Sequence, residues 1–259
     1  MDLIHAVAGF LVGVMVGMTG VGGGALMTPI LVLLFGVAPA TAVGTDLWFA
    51  ALTKIVGGFM HHQKGSVDWQ VLRRLCLGSL PASLATLAWL HLTGQEQIKQ
   101  GLILKALGGV LILTAAAMFF RAYSHAAGRQ RRIRAPERFK HAQPALTVLA
   151  GAILGFLVTL TSVGAGALGV VMLVYLYPLR MIPARLVGTD IVHAIPLTIL
   201  AGTGHLLMGN VNLGLLGNLL LGSVPGVVVG SLLGAKVPET LLRGAIAVVL
   251  SLVGLKLVL

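Results

Sequence analysis

The apolar run that opens this chain is broken by TGVGGGALMTP, Thr19 to Pro29, and a later run is broken by TSVGAGALGVV, Thr161 to Val171. A Pro-Ala pair follows each break (Pro39-Ala40, Pro183-Ala184), and then Val-Gly-Thr-Asp, at Val43 to Asp46 and Val187 to Asp190. Hydrocarbon offers backbone N–H and C=O groups no partner. A broken helix at membrane depth therefore persists only where protein buries it or a cavity wets it. Glycine-interrupted apolar segments in corresponding places of two halves point to a transporter's central site.

The chain is apolar enough for that setting. Of its 259 residues 57% are hydrophobic and 10% charged, and its mean hydropathy is +0.99. A water-facing surface needs roughly 25% charged residues, so the fold expected is all-α and polytopic, with segments of about 20 residues. Its net charge of +11 gathers largely between the halves, at Arg121, Arg129, Arg131, Arg132, Arg134, Arg138 and Lys140. That pattern is a topogenic cytoplasmic loop, not a nucleic-acid surface. Cys76 is the only cysteine, so no internal disulfide or Cys-based metal site is open to it. The first residues lack a basic stretch and run into the first break, so no cleaved signal peptide is expected.

The apolar pattern predicts Leu3–Phe35 interrupted at Thr19–Gly24, then helices over Ala40–Met60, Val67–Leu92 and Ile98–Phe120. It restarts as Pro144–Tyr177 interrupted at Thr161–Gly166, then Ala184–Met208, Val211–Leu233 and Pro238–Leu259. From Val-Gly-Thr-Asp onward the halves keep an offset of 144. His61 matches His205, Gly65 Gly209, Val67 Val211, and Leu77-Gly78-Ser79 with Pro81 matches Leu221-Gly222-Ser223 with Pro225. Before the motif the offset is 142. The expected organisation is a first transmembrane repeat over 1–120, a basic cytoplasmic linker over 121–141, and a second repeat over 142–259.

Eight full spans would put Arg180, Arg185, Lys236 and Arg243 outside, against the positive-inside rule. The pieces Leu3–Met18 and Ala25–Phe35 are short for crossing, which needs about 17–25 residues. As re-entrant hairpins they leave three crossings per half and inverted repeats, with those bases on the linker side. We prefer the inverted arrangement.

The stretches TGVGGGALMTPILVLLFGV, ATAVGTDLWFAALTK and HHQKGSVDW, with LTSVGAGALG, ARLVGTDIVHAIPLT and GHLLMGNVN in the second half, resemble the TauE/SafE family of sulfite exporter-like transporters. The resemblance covers nearly the whole chain apart from the linker. It implies export of small sulfur- or carbon-containing anions across a bacterial inner membrane by a multi-pass protein.

The residues themselves suggest how an anion would be held. Gly20, Gly22, Gly23 and Gly24, with Gly164 and Gly166, leave N–H groups uncovered where half-helices start. Such an N-terminus carries about half a positive charge and suits an oxyanion. Thr19, Thr45, Thr161, Ser162 and Thr189 could add hydroxyls. Close helix packing is the other use for such glycines. Asp46 and Asp190 are either proton-coupling carboxylates or structural acceptors for the broken backbone. Lys54, whose counterpart is Thr198, could neutralise them or attract the substrate. His61, His193 and His205 are gate, cap or interfacial residues; no ligand cluster marks a metal site. No phosphate-binding loop, no nucleophile with a base and no cofactor motif appears, so an enzyme is not expected.

The function expected is a secondary exporter of small anions driven by the proton-motive force. The alternatives are a passive anion channel and a cation or metal carrier using the aspartates. The expected partners are a small anionic substrate and the lipid bilayer, with a homodimer as the one protein assembly considered. If the breaks are re-entrant, cysteines placed at residues 2 and 259 in a Cys76→Ser background will label from the side opposite the linker. Labelling of both from the linker side would restore eight parallel spans.

Overall fold

The computed structural model describes residues 3–19, 24–63, 65–93, 96–134, 136–234 and 239–259. Its regular structure is helical throughout: α1 (Leu3–Thr19), α2 (Gly24–Leu33), α3 (Pro39–Gln63), α4 (Trp69–Leu92), α5 (Glu96–Phe119), α6 (Arg121–Arg134), α7 (Pro136–Thr161), α8 (Ala167–Leu176), α9 (Pro183–Leu207), α10 (Leu213–Gly234) and α11 (Glu239–Val258). Among the described residues, five stretches are long and apolar enough to cross a membrane: Trp69–Leu92, Gln100–Phe119, Phe139–Thr161, Pro183–Leu207 and Leu213–Gly230. On α4 the exposed Trp69 and Trp89 stand about 30 Å apart at 1.5 Å per residue, matching a bilayer's hydrocarbon core.

The second break falls where its glycines predict, between Thr161 and Ala167; at the first, α1 ends at Thr19 and α2 begins at Gly24, and residues 20–23 lie outside the described residues. Each broken segment doubles back. Gln143, near the start of α7, donates to the carbonyl of Leu176 at the end of α8 (2.6 Å), and Thr147 meets the Tyr177 hydroxyl at 2.8 Å. At the other hairpin the His5 ring lies 4.5 Å from Phe35. The arms are unequal. α8 has ten residues, about 15 Å, while Phe139–Thr161 is itself long enough to span. The short return helix, not a short first arm, makes the hairpin.

The linker differs from a plain loop. Arg121–Arg134 is a helix that lies against α8: Gly128 sits on the Tyr175 carbonyl, Arg131 stacks over the Tyr175 ring at 5.9 Å, and His125 donates to the Pro178 carbonyl at 3.2 Å. The helix α7 then begins at Pro136, eight residues before the Pro144 expected from hydropathy.

The halves interlock. α1 packs along α10, and α7 packs along α4, each pair parallel. A Cβ on Gly9 or Gly13 would collide with backbone of Leu219 or Ser223, and one on Gly222, Gly226 or Gly230 with backbone of Ala6, Phe10 or Val14. Gly78 against Val148, and Gly151 and Gly155 against Leu75 and Ser79, repeat the arrangement. Here small residues let helix backbones touch, the main source of association where lipid removes the hydrophobic drive. The helices carrying Val-Gly-Thr-Asp, α3 and α9, run antiparallel: Gly57 and Gly58 face Ile191 and Ile195, while Gly202 faces Trp48. α5 and α11 also run antiparallel, with Gly108 on Val258 and Gly254 on Ile112.

Gly222→Val should therefore destabilise the protein by about 1–3 kcal/mol through overpacking, while Gly217→Val on the same helix, with open space around it, should not. Thermal unfolding in detergent compares them. Equal melting temperatures would show that close helix contact is not what holds α1 to α10.

Candidate functional site

Inside the crossing of α3 and α9 lies a buried polar cluster. Its anchors are the two aspartates, each one step past the threonine of its motif. Asp46 is fully buried; its Oδ2 accepts from the Thr28 hydroxyl of α2 at 2.5 Å, and the Thr28 backbone N–H also faces it. Asp190 takes the backbone N–H of Gly166, the N-cap of α8. Gly169, in the first turn of α8, is so close that a Cβ there would meet Asp190 Oδ1. Asp190 thus sits at the start of α8, where free N–H groups and the helix dipole favour negative charge, and Asp46 lies against the middle of α2.

Lys54 lies between them. It is on α3 two turns beyond Asp46, 6% exposed, and its Nζ is 3.5 Å from the carbonyl of Ala165 in the second break. Both aspartates act on it electrostatically. Among the described residues it is the only buried Lys or Arg. Two carboxylates and one ammonium leave a net single negative charge, or neutrality once one carboxylate carries a proton. Each charge held here unpaired would cost on the order of 2.5–3.5 kcal/mol.

The second break has a strained shape. Ser162 has φ 60°, Gly164 φ 123° and Gly166 φ 124°; the last two conformations are glycine territory. The Thr161 hydroxyl is spent locally, donating to Leu157 O at 2.7 Å and accepting from Val163 N–H at 3.2 Å. Ser162 lies beside Asp46 and its side chain acts on that carboxylate; Ser162 Oγ and Asp46 Oδ1 are both buried and meet no other polar partner.

Thr45 and Thr189, expected beside the anion, accept backbone N–H groups of the opposite half. Thr189 Oγ1 accepts the backbone N–H of Asp68 at 2.9 Å, and Thr45 Oγ1 that of Asn212 at 3.1 Å. Asp68 and Asn212 in turn cap α4 and α10, accepting from Val71 N–H and Leu215 N–H. Beside them Gly188 lies against the Ser66 carbonyl and Gly44 against that of Asn210. Val-Gly-Thr-Asp therefore reads as a splice: glycine and threonine dock the loop before a helix from the opposite side of the duplication, and aspartate holds the half-helix.

His193 Nε2 meets Ser79 Oγ at 2.9 Å, and His205 Nε2 donates to the Thr159 carbonyl at 2.9 Å while its Nδ1 is buried unpartnered. Gly20, Gly22 and Gly23 lie outside the described residues, as do the side chains of Thr19 and His61. Gly24 is the first residue of α2. Sequence reasoning missed Thr28, whose signal is a hydroxyl directly before Pro29 in an apolar run, and Ser79, buried beside Gly78 in the duplicated Leu-Gly-Ser.

Contact of Gly169 with Asp190 makes a coupling measurable. Gly169→Ala should destabilise the wild type more than an Asp190→Ala background, by about 0.5–3 kcal/mol in a double-mutant cycle. A zero coupling energy would place the carboxylate away from α8.

Against known proteins, the model of the family described as Sulfite exporter TauE/SafE matches residues 5–257. "Probable membrane transporter protein YjnA" of Bacillus subtilis is 38% identical over 209 residues, 79% of each chain. "Probable membrane transporter protein MJ0441" of Methanocaldococcus jannaschii is 28% identical over 212 residues, 79% of this chain and 72% of its own. "Probable membrane transporter protein YdhB" of Bacillus subtilis is 26% identical over 248 residues, 96% of each. No solved structure matches the chain.

Proposed function

The chain belongs to the sulfite exporter TauE/SafE family and is a multi-pass membrane transporter, not an enzyme; on that premise we propose that it is a secondary exporter of small anions. Sulfite, sulfonates and related organic anions are the substrate class, and the passage runs by Asp46, Lys54 and Asp190. The observation that carries this reading is Lys54, a buried cation reaching the backbone of the second break between two buried carboxylates. An anion arriving there meets the ammonium, the backbone near Gly164 and the Ser162 hydroxyl.

Anion binding and proton occupancy are linked at such a cluster. Two ionised carboxylates repel a second anion; a proton on either one relieves it. Asp46 and Ser162 lie together, with no other polar partner for Oδ1 or Oγ, and form the pair in which a proton would sit. Asp190 is already engaged by α8. The membrane potential, negative inside, favours outward movement of an anion by about 2.3 kcal/mol per charge per 100 mV. The antiparallel course of α3 against α9 and α5 against α11 supports inverted repeats, with the basic linker cytoplasmic.

Proteoliposome flux with and without a pH gradient tests the roles. Asp46→Asn should still bind sulfite or sulfoacetate but lose its response to the gradient. Asp190→Asn should keep coupled flux at a reduced rate, since an amide oxygen can still accept the Gly166 N–H. Lys54→Met should abolish flux. Gradient-driven flux persisting in both aspartate variants and in their double variant would remove these residues from the mechanism.

A further inference from the structure

Two open pockets occupy corresponding places at opposite ends of the molecule. One, of about 390 Å³, lies where α4 and α7 begin and α8 ends, lined by Gln70, Arg74, Lys140, His141, Gln143 and Arg180. The other, of about 410 Å³, lies where α1 and α10 begin and α2 ends, and its lining includes His5, Phe35, Asn212 and Asn218. The offset of 144 puts Gly214 in the place of Gln70, Asn218 in that of Arg74 and Asn212 in that of Asp68. The two pockets share a scaffold and differ in charge: among the described lining residues, the second has no Lys or Arg.

The cations of the first pocket are built in. Arg180 makes a two-pronged ion pair with Asp68, Nε to Oδ2 at 2.6 Å and Nη2 to Oδ1 at 2.8 Å, and its Nη1 donates to Gln70 at 2.9 Å. Arg74 Nη1 donates to the Tyr177 hydroxyl at 3.2 Å, which leaves guanidinium donors over. With Arg180 neutralised by Asp68, Arg74 and Lys140 remain as net positive charge among the described lining residues. The pocket is also tied to the buried cluster, because Asp68 N–H rests on Thr189, next to Asp190.

We propose that this linker-side pocket is a collecting site for a small free oxyanion, sulfonate- or sulfite-like, and that the neutral pocket at the far end is where it is released. This rests on the transport reading above and adds a sidedness to it. A cleft lined by one sign of charge concentrates counter-ions and speeds their capture by roughly 10- to 1,000-fold. The far pocket, lacking that field, lets the anion go. A positive-inside signal alone needs no pocket, no bidentate positioning and no neutral counterpart in register.

The test uses full-length protein in phosphatidylcholine proteoliposomes of determined orientation, with radiolabelled sulfoacetate and sulfite offered at either face. Arg74→Asn with Lys140→Gln should raise the linker-face KM on the order of tenfold and leave the far-face KM where it was. Asn218→Arg should lower the far-face KM, a gain that misfolding cannot imitate. Salt should raise the wild-type linker-face KM more than the far-face value. Normal wild-type flux with an unmoved linker-face KM in the double variant overturns the collecting site alone. No wild-type flux of any small anion overturns the transport reading and this proposal with it. An effect of the variants seen only when phosphatidylglycerol is added assigns the pocket to a lipid headgroup and also overturns it.

Discussion

A helix broken within a bilayer must find partners for its loose backbone, and that constraint organises this molecule. At the second break the answer is Asp190, which takes the Gly166 N–H at the start of α8. Beside the first, Asp46 is tied to α2 by the Thr28 hydroxyl. Each aspartate stands in a longer helix that must then be held in register with the half-helix it serves. Thr45 and Thr189 do that holding, one residue away, by accepting the N–H of Asn212 and Asp68. Displacing one carboxylate would thus disturb a half-helix, a long helix and the start of a third.

The duplicated frame carries unlike chemistry. Lys54 has Thr198 as its counterpart, Thr28 has Val170, Ser162 has Gly20, and the Asp68–Arg180 pair faces Asn212 across the duplication. Backbone satisfaction demands the same glycines and aspartates in both halves. Charge does not have to repeat, and between the two faces and the two breaks it does not.

Most of the glycine contacts are structural. Gly9, Gly13, Gly78, Gly151, Gly155 and Gly222 seat one helix on another's carbonyls, so the interlock of α1 with α10 and α7 with α4 is a contact between backbones. Gly164 and Gly166 are different, because their φ near 124° is a conformation that side chains rarely permit. Close packing is thus a use of glycine along the long helices, while at the second break glycine serves the backbone conformation.

Sequence alone determined the membrane setting, the two breaks, the register of the duplication and the pairing of an aspartate with each break. These follow from local composition and spacing: apolar length, glycine clusters, a constant offset. Sequence could not place Thr45 and Thr189, because a hydroxyl two turns into a helix serves whichever backbone the opposite half brings to it. Nor could it bring Ser162 of one break to Asp46 of the other, nor Arg180 to Asp68, 112 positions away. It read residues 121–141 as linker because their polarity hides a helix that forms by packing on Tyr175. Those contacts depend on how the halves cross, and only tertiary structure sets that, since packing energy at a helix crossing belongs to pairs of surfaces and not to either sequence segment.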